Sequence, residues 1–395
     1  MSDFEKEHFE HSESEEFSDS EEQSAITPEG LNEEELNQIS ELSKRGYQLL
    51  KENLVKEAEK SFNQILDIDS TNNYALVGLG DAARKKHEYR KAIGYYQNCL
   101  ENHAGNNYAL FGLADCYKAL NRYNDAIKIW EQYLQHDDNN VTVLTRVADA
   151  YRKVKDFRRS KEIYLKVLEV EPDNPYALIG LGHLHYDFRE YEDALHYWER
   201  MLEVKQDNVD IRVLTSLGNC HRKLKTYDKG LKYFQQALEL EPNNFYALFG
   251  LADCYRGLNK HTESLEYWHK ILKLDPNNKV ILTRAGDAYR SMGDYDNGEE
   301  YYHAALNIEF DMYAILGLSL INKARGNYED AIDSLYGLLR NDPKNHRLYT
   351  EIAECYMALG KRHKAIDILN EFHKLGIRNP YVAKLLERLQ QGGNI

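Results

Sequence analysis

Three groups of residues have types and spacings that could do chemistry. His183 and His185 stand in the tripeptide HLH, Cys116, Cys220, Cys254 and Cys355 recur in similar surroundings, and Asp149–Arg152 and Asp287–Arg290 set opposite charges three residues apart. Metal binding, thiolate attack and anion capture are the corresponding chemistries. Two residues apart on a helix, however, the histidines face different ways and do not make a metal pair. The cysteines take a place that other stretches give to Ala82, Ala150, Leu184 or Ala288, an exchange expected of a small buried side chain. Each Asp–Arg pair, if exposed, is worth only a few tenths of a kcal/mol. The sequence contains no phosphate-binding loop, dinucleotide glycine motif, nucleophile elbow or HExxH zinc motif. The expectation is a protein that is not an enzyme and uses neither metal nor cofactor.

The elements that carry these residues repeat. YALFGLADCY occupies Tyr108 to Tyr117 and returns letter for letter at Tyr246 to Tyr255. From Ile39 onward, apolar residues recur at three-and-four spacing in pairs of short helical windows closed by turn residues, with a period of 34 residues. Ten units start at Ile39, Asn73, Asn107, Val141, Pro175, Ile211, Phe245, Lys279, Met312 and His346. The eighth place is small (Gly46, Gly80, Ala114, Ala148, Gly182, Gly218, Ala252, Gly286, Ser319, Ala353), and so is the twentieth (Ala58, Ala92, Ala126, Ser160, Ala194, Gly230, Ser264, Gly298, Ala331, Ala365). The twenty-fourth is large (Phe62, Tyr96, Trp130, Tyr164, Trp198, Phe234, Trp268, Tyr302, Leu335, Leu369). A longer period is superimposed. First helices alternate between a tyrosine–glycine type (YALVG, YALFG, YALIG) and a threonine–arginine type (VLTRVAD, ILTRAGD), so the working module is a pair of repeats.

Small against large at fixed spacing lets two antiparallel helices nest, and this pattern resembles the tetratricopeptide repeat over about residues 39 to 379. The resemblance implies an all-α, right-handed α-solenoid of ten helix-turn-helix units. Asn379-Pro380 then opens a helix that caps the last apolar face, ahead of a loose C-terminus within residues 380–395. Residues 1–38 carry fourteen Asp and Glu against the single Lys6, −13 of the chain's formal −15. They read as a disordered acidic tail, with a fraying helical lead from Glu29 to Gln38.

In such repeats the first helices line a concave groove, chiefly through the second, fifth, sixth, ninth, twelfth and thirteenth places. By that resemblance the second place contributes Tyr74, Tyr108, Tyr176, Tyr246 and Tyr313. The fifth contributes Phe111 and Phe249, the sixth Arg146 and Arg284, the ninth Asp115 and Asp253. The twelfth gives Arg152, Arg222, Arg256 and Arg290, with Tyr186 as its exception. Two readings of the sixth place stand open where it is Gly78, Gly112, Gly180, Gly250 or Gly317. Either glycine frees the neighbouring tyrosine as an aromatic bay, or it lets consecutive helices pack closely, at about 1 kcal/mol of helix propensity each. The Asp and Arg residues either form a ladder that fixes the stacking or leave arginines, Arg146 and Arg284 above all, to grip carboxylates of a bound segment.

The resemblance implies a protein–protein interaction scaffold that binds extended peptide or helix segments; the alternative is a regulatory subunit of a catalytic partner or a sensor of a small ligand. The lysine–asparagine clamp of chaperone-tail binders is not matched, since the fifth place is never lysine. Beyond the tail the chain is near neutral, so its field does not favour nucleic acid. No stretch has the length and apolarity of a membrane helix, and five cysteines without an export signal fit a cytoplasmic, reducing setting. The tail either solubilises the chain or contacts the groove intramolecularly and competes with acidic ligands.

Overall fold

The computed structural model describes residues 31–204 and 209–391. Among the described residues there are twenty-one α-helices and no strands. The chain divides after Val154 into two compact units. The first holds α1 (Glu33–Lys51), α2 (Val55–Ile68), α3 (Asn73–Lys85), α4 (Tyr89–Asn102), α5 (Asn107–Ala119), α6 (Tyr123–Tyr133) and α7 (Val141–Lys153). The second begins with α8 (Phe157–Val170), α9 (Pro175–Asp187), α10 (Tyr191–Val204), α11 (Ile211–Lys223), α12 (Tyr227–Leu240), α13 (Phe245–Gly257) and α14 (His261–Leu274). It continues with α15 (Lys279–Ser291), α16 (Tyr295–Ile308), α17 (Met312–Ala324), α18 (Tyr328–Asn341), α19 (His346–Ala358), α20 (Arg362–Lys374) and α21 (Pro380–Gln390).

From the second repeat to the tenth, the first helix opens at the first residue of the sequence unit. Repeat one differs. Helix α1 starts at Glu33, inside the stretch assigned to the acidic tail, because Asn32 and Glu35 form a reciprocal capping box with backbone–side-chain contacts of 2.9 Å. The tail's other expected properties, its disorder and its contact with a groove, concern residues 1–30, outside the described residues, as do residues 392–395.

Both helix ends are set locally. In the first unit Asn72, Asn106 and Asn140 each accept a hydrogen bond from the third backbone N–H of the helix they precede, at 3.2, 2.9 and 3.1 Å. In the second unit Asn174, Asn244 and Asn278 do the same. First helices end on a left-handed residue: Asn53, His87 and Asn121 in the first unit, then Lys155, Arg189, Lys225 and Asn259, and finally Gly293, Gly326 and Gly360.

The large side chain at the twenty-fourth place holds each repeat to the next. Phe62 on α2 and Tyr96 on α4 are fully buried. A Cβ added at Gly46 would lie 2.6 Å from the Phe62 ring and one at Gly78, in the next repeat, 2.4 Å from it; Gly80 and Gly112 bracket Tyr96 at 2.5 and 2.4 Å. In the second unit Gly218 and Gly250 bracket Phe234 at 2.6 and 2.3 Å, and Gly286 and Gly317 bracket Tyr302 at 2.8 and 2.1 Å. These distances decide between the two readings of the sixth-place glycines. The space beside each is filled by the ring of the preceding repeat, so the glycines serve close packing and do not hollow out bays beside the tyrosines.

Alanine at Gly180 or Gly250 would set a methyl 2.3 Å from a buried ring. Overpacking costs about 1–3 kcal/mol against a helix-propensity gain of about 1. Both variants should unfold at lower urea concentration than the parent chain. Gly94, exposed on α4 with nothing within 4 Å of an added Cβ, should gain up to about 1 kcal/mol on the same change. Stabilisation at all three positions would refute the packing account.

Candidate functional site

The first helices bring the sequence-predicted residues onto their faces but use many of them internally. In the first unit Tyr74 and Tyr108 are 48% and 60% exposed. Asp115 on α5 accepts hydrogen bonds from Arg84 of α3 at 3.2 Å and from Arg146 of α7 at 2.8 Å, and Arg146 also lies over the Phe111 ring at 4.8 Å. Arg146 is therefore not left over for a ligand; its guanidinium closes a three-helix bridge. Asp149 and Arg152 form the expected pair at 2.9 Å and are nearly sealed, at 6% and 9% exposure. Tyr96 donates to Asp81 at 2.6 Å, so the ring that spaces two repeats also ties its hydroxyl to their charge row.

In the second unit Tyr176, Tyr246 and Tyr313 are exposed, Tyr313 to 67%. Asp253 on α13 accepts from Arg222 of α11 at 2.7 Å and from Arg256 of its own helix at 2.5 Å. Burial pushes the Asp253 carboxyl up, but those two hydrogen bonds and charges outweigh it and hold it below its ordinary value. Arg222 also lies 5.7 Å from the centre of the Phe249 ring, which packs edge-on against Trp268. Arg290 contacts Asp287 at 3.6 Å and donates to the Tyr302 hydroxyl at 3.2 Å. Tyr186 is packed between Tyr191 and Trp198, and burial pushes its hydroxyl up to about 12. Arg284 stands apart: among the described residues it forms no hydrogen bond or ion pair.

Arg284 instead lines a cleft of about 380 Å³ with Arg256, Arg290, Arg347, Tyr313 and Leu316, on α13, α15, α17 and α19. Two of its neighbours escaped the sequence reading. Arg347 occupies the second place of repeat ten, where five other repeats put tyrosine. Tyr381 lines an adjoining cleft with Tyr313 and opens α21 through the same Asn-Pro-Tyr that opens α9. That shared tripeptide was the available signal.

The remaining chemical candidates are accounted for by packing. All five cysteines are free and buried, and burial pushes the Cys116, Cys220 and Cys254 thiols up to about 12 and those of Cys99 and Cys355 to about 11. Thiols so raised hold little thiolate at neutral pH. His183 and His185 diverge as expected, His183 edge-on to Trp198 and His185 stacked on Tyr197. The residues most able to hold a cation among those described are His185, Glu190 and Asp193, with ligand atoms within 4.8 Å of one another. There the His185 Nδ1 already meets Glu190 at 2.6 Å, and both carboxylates are open to solvent.

Comparison with known families accords with this architecture. Models described as tetratricopeptide repeat match residues 146–210, 211–244, 245–278, 281–312 and 323–389, and one described as the fourth ARM domain of tetratricopeptide repeat protein 21 matches 77–169. The chain belongs to the tetratricopeptide-repeat superfamily and is an all-α helical-repeat protein. Similar solved structures include YrrB, described as a TPR protein with an unusual peptide-binding site (21% identity, 47% of this chain and 95% of that one, TM-score 0.42). PilF of Pseudomonas aeruginosa is another (18%, 54% and 96%, 0.46), as is MamA (23%, 42% and 91%, 0.41). No curated protein gave a significant match. Among the described residues no helix is long and apolar enough to cross a membrane.

The Asp149 pair gives a pH test. Burial raises this carboxyl, but the Arg152, Lys118 and Lys153 charges and the Arg152 hydrogen bond outweigh burial and bring it down to about 2 from 3.8. A folded value below the unfolded one adds stability that is present above about pH 4 and lost as pH falls towards 2. The stability difference between the parent chain and Asp149→Asn should hold constant above pH 4. It should shrink by about 2 kcal/mol between pH 4 and 2, as followed by urea unfolding at each pH.

Proposed function

We propose that this protein is a non-catalytic interaction scaffold whose first-helix faces bind extended or helical segments of partner proteins. The observation that carries this reading is the row of exposed tyrosines at the second place of five repeats: Tyr74 and Tyr108 in one unit, Tyr176, Tyr246 and Tyr313 in the other. Every repeat buries its twenty-fourth-place side chain, so the fold has no need of these additional rings in solvent. Large aromatics recurring at one exposed position are the residues that anchor protein interfaces, where tyrosine offers wide contact area at small entropic cost. The charged residues beside them mostly hold the helices in register, which keeps the tyrosines at fixed spacing within each unit. Five buried, unpaired thiols support the cytoplasm as the place of action.

A photo-crosslinking residue at Tyr108 or Tyr176 in the intact protein should capture partner proteins in cells. The same residue at Lys232, exposed on the second helix α12, should not. Alanine at Tyr108, Tyr176 and Tyr246 together should cut recovery of the same partners, captured through Tyr313, by about tenfold or more. Capture confined to Lys232 would overturn the assignment of the interaction face.

A further inference from the structure

The second unit contains a positive cleft whose charge is not balanced by the fold. Its lining brings together Arg256, Arg284, Arg290 and Arg347 with Asp287 as the one carboxylate, above an apolar wall of Leu316 and Leu320. Three of the guanidiniums are engaged: Arg256 with Asp253 at 2.5 Å, Arg290 with Asp287 at 3.6 Å, and Arg347, itself half exposed, with Glu351 at 3.7 Å. Arg284 is half-buried and has no counter-ion among the described residues.

The first unit shows what the same position does when it is satisfied. Arg146 holds the place in repeat four that Arg284 holds in repeat eight, and Asp115 receives it at 2.8 Å. Asp253 stands where Asp115 does, but its two oxygens are taken by Arg222 and Arg256. Arg284 is thus an arginine whose internal carboxylate has been given to another residue. A guanidinium partly withdrawn from water gains most from a planar carboxylate that can accept two parallel hydrogen bonds. The leucine wall, with Tyr313 at its edge, suits a large apolar side chain next to that carboxylate.

We propose that this cleft is a recognition site for an acidic linear segment of a partner protein, in which a glutamate or aspartate pairs with Arg284 and an adjoining aliphatic or aromatic side chain lies on Leu316 and Tyr313. The proposal rests on the scaffold reading and narrows it, since the homologous place in the first unit is closed by Asp115 and selects no such ligand.

The test uses the full chain and a short fluorescent peptide of alternating glutamate and leucine, with the glutamine-for-glutamate peptide as its neutral counterpart, both followed by anisotropy. The acidic peptide should bind, more weakly as salt is raised, and the neutral one should bind at least tenfold more weakly. Arg284→Gln should lose tenfold or more in affinity for the acidic peptide with an unchanged melting temperature, because no internal pair is broken. Arg146→Gln should do the reverse, leaving peptide affinity unchanged and lowering the melting temperature. Equal affinity for the two peptides, or full affinity in Arg284→Gln, would overturn the acidic site while leaving the tyrosine-lined scaffold intact. Displacement of the peptide by inorganic phosphate at matched charge would also overturn it, showing a non-selective anion site. Binding of neither peptide would do so as well, and partner crosslinking through Tyr108 and Tyr176 would then judge the scaffold reading alone.

Discussion

The structure depends on a large buried side chain on each second helix, and in four repeats on one steric fit: a ring, Phe62, Tyr96, Phe234 or Tyr302, set between two glycines. Phe62 lies between Gly46 of its own repeat and Gly78 of the next, and Phe234 between Gly218 and Gly250. The first contact closes a helix pair and the second joins that pair to its neighbour. Stacked repeats draw their stability from such nearest-neighbour interfaces, since a single pair cannot bury its own apolar faces. Glycine within a helix costs about 1 kcal/mol relative to alanine, and the cost is accepted where a methyl would collide with the ring. What remains exposed on the first helices is what this packing leaves outside.

Charge follows the same geometry. Once the ring fixes the spacing of first helices, an aspartate at the ninth place lies within reach of arginines 31 residues away on either side, as Asp115 shows with Arg84 and Arg146. The ladder expected from residues three apart is thus also a ladder between repeats. Partly buried, such bridges are costlier to break than exposed pairs, because losing one partner leaves the other charge desolvated. Most arginines that looked available in the sequence are committed in this way, Arg146 among them.

The fold was legible because every level of the sequence agreed. Period, small and large places, capping asparagines and exit turns all named the same helix pairs, and the first helices of repeats two to ten open at the first residue of the sequence unit. Within the helical lead expected from Glu29 to Gln38, α1 starts at Glu33, a boundary that depends on a single capping box at Asn32 and Glu35. Close packing was one of two readings of the sixth-place glycines, and choosing it depends on a contact with the preceding repeat, which reasoning within one helix does not supply. Of the site, the exposure of the second-place tyrosines was readable from position. The pairs of Arg152 and Arg290 with the aspartate three residues before them were readable from spacing, whereas the commitment of Arg146 was not, because its partner lies on another helix.

The identical decapeptides Tyr108–Tyr117 and Tyr246–Tyr255 show where specificity enters. Both present a tyrosine, a phenylalanine and an aspartate at the same places, yet Asp115 and Asp253 are bridged differently. The Oδ2 of each receives the arginine of the preceding repeat, Arg84 or Arg222. The Oδ1 of Asp115 receives Arg146 of the following repeat, whereas that of Asp253 receives Arg256 of its own helix. The residue just beyond the identity differs with the bridging. Lys118 follows Tyr117 where Arg256 follows Tyr255, and the arginine's planar fork reaches back to the carboxylate three residues before it. Where that arginine stands in place of the lysine, the arginine of the following repeat, Arg284, has no counter-ion among the described residues. An identical stretch can then carry an aspartate bridged across three helices in one unit and stand beside an open, positive cleft in the other, while its glycine packs in both on a ring of the preceding repeat, Tyr96 or Phe234.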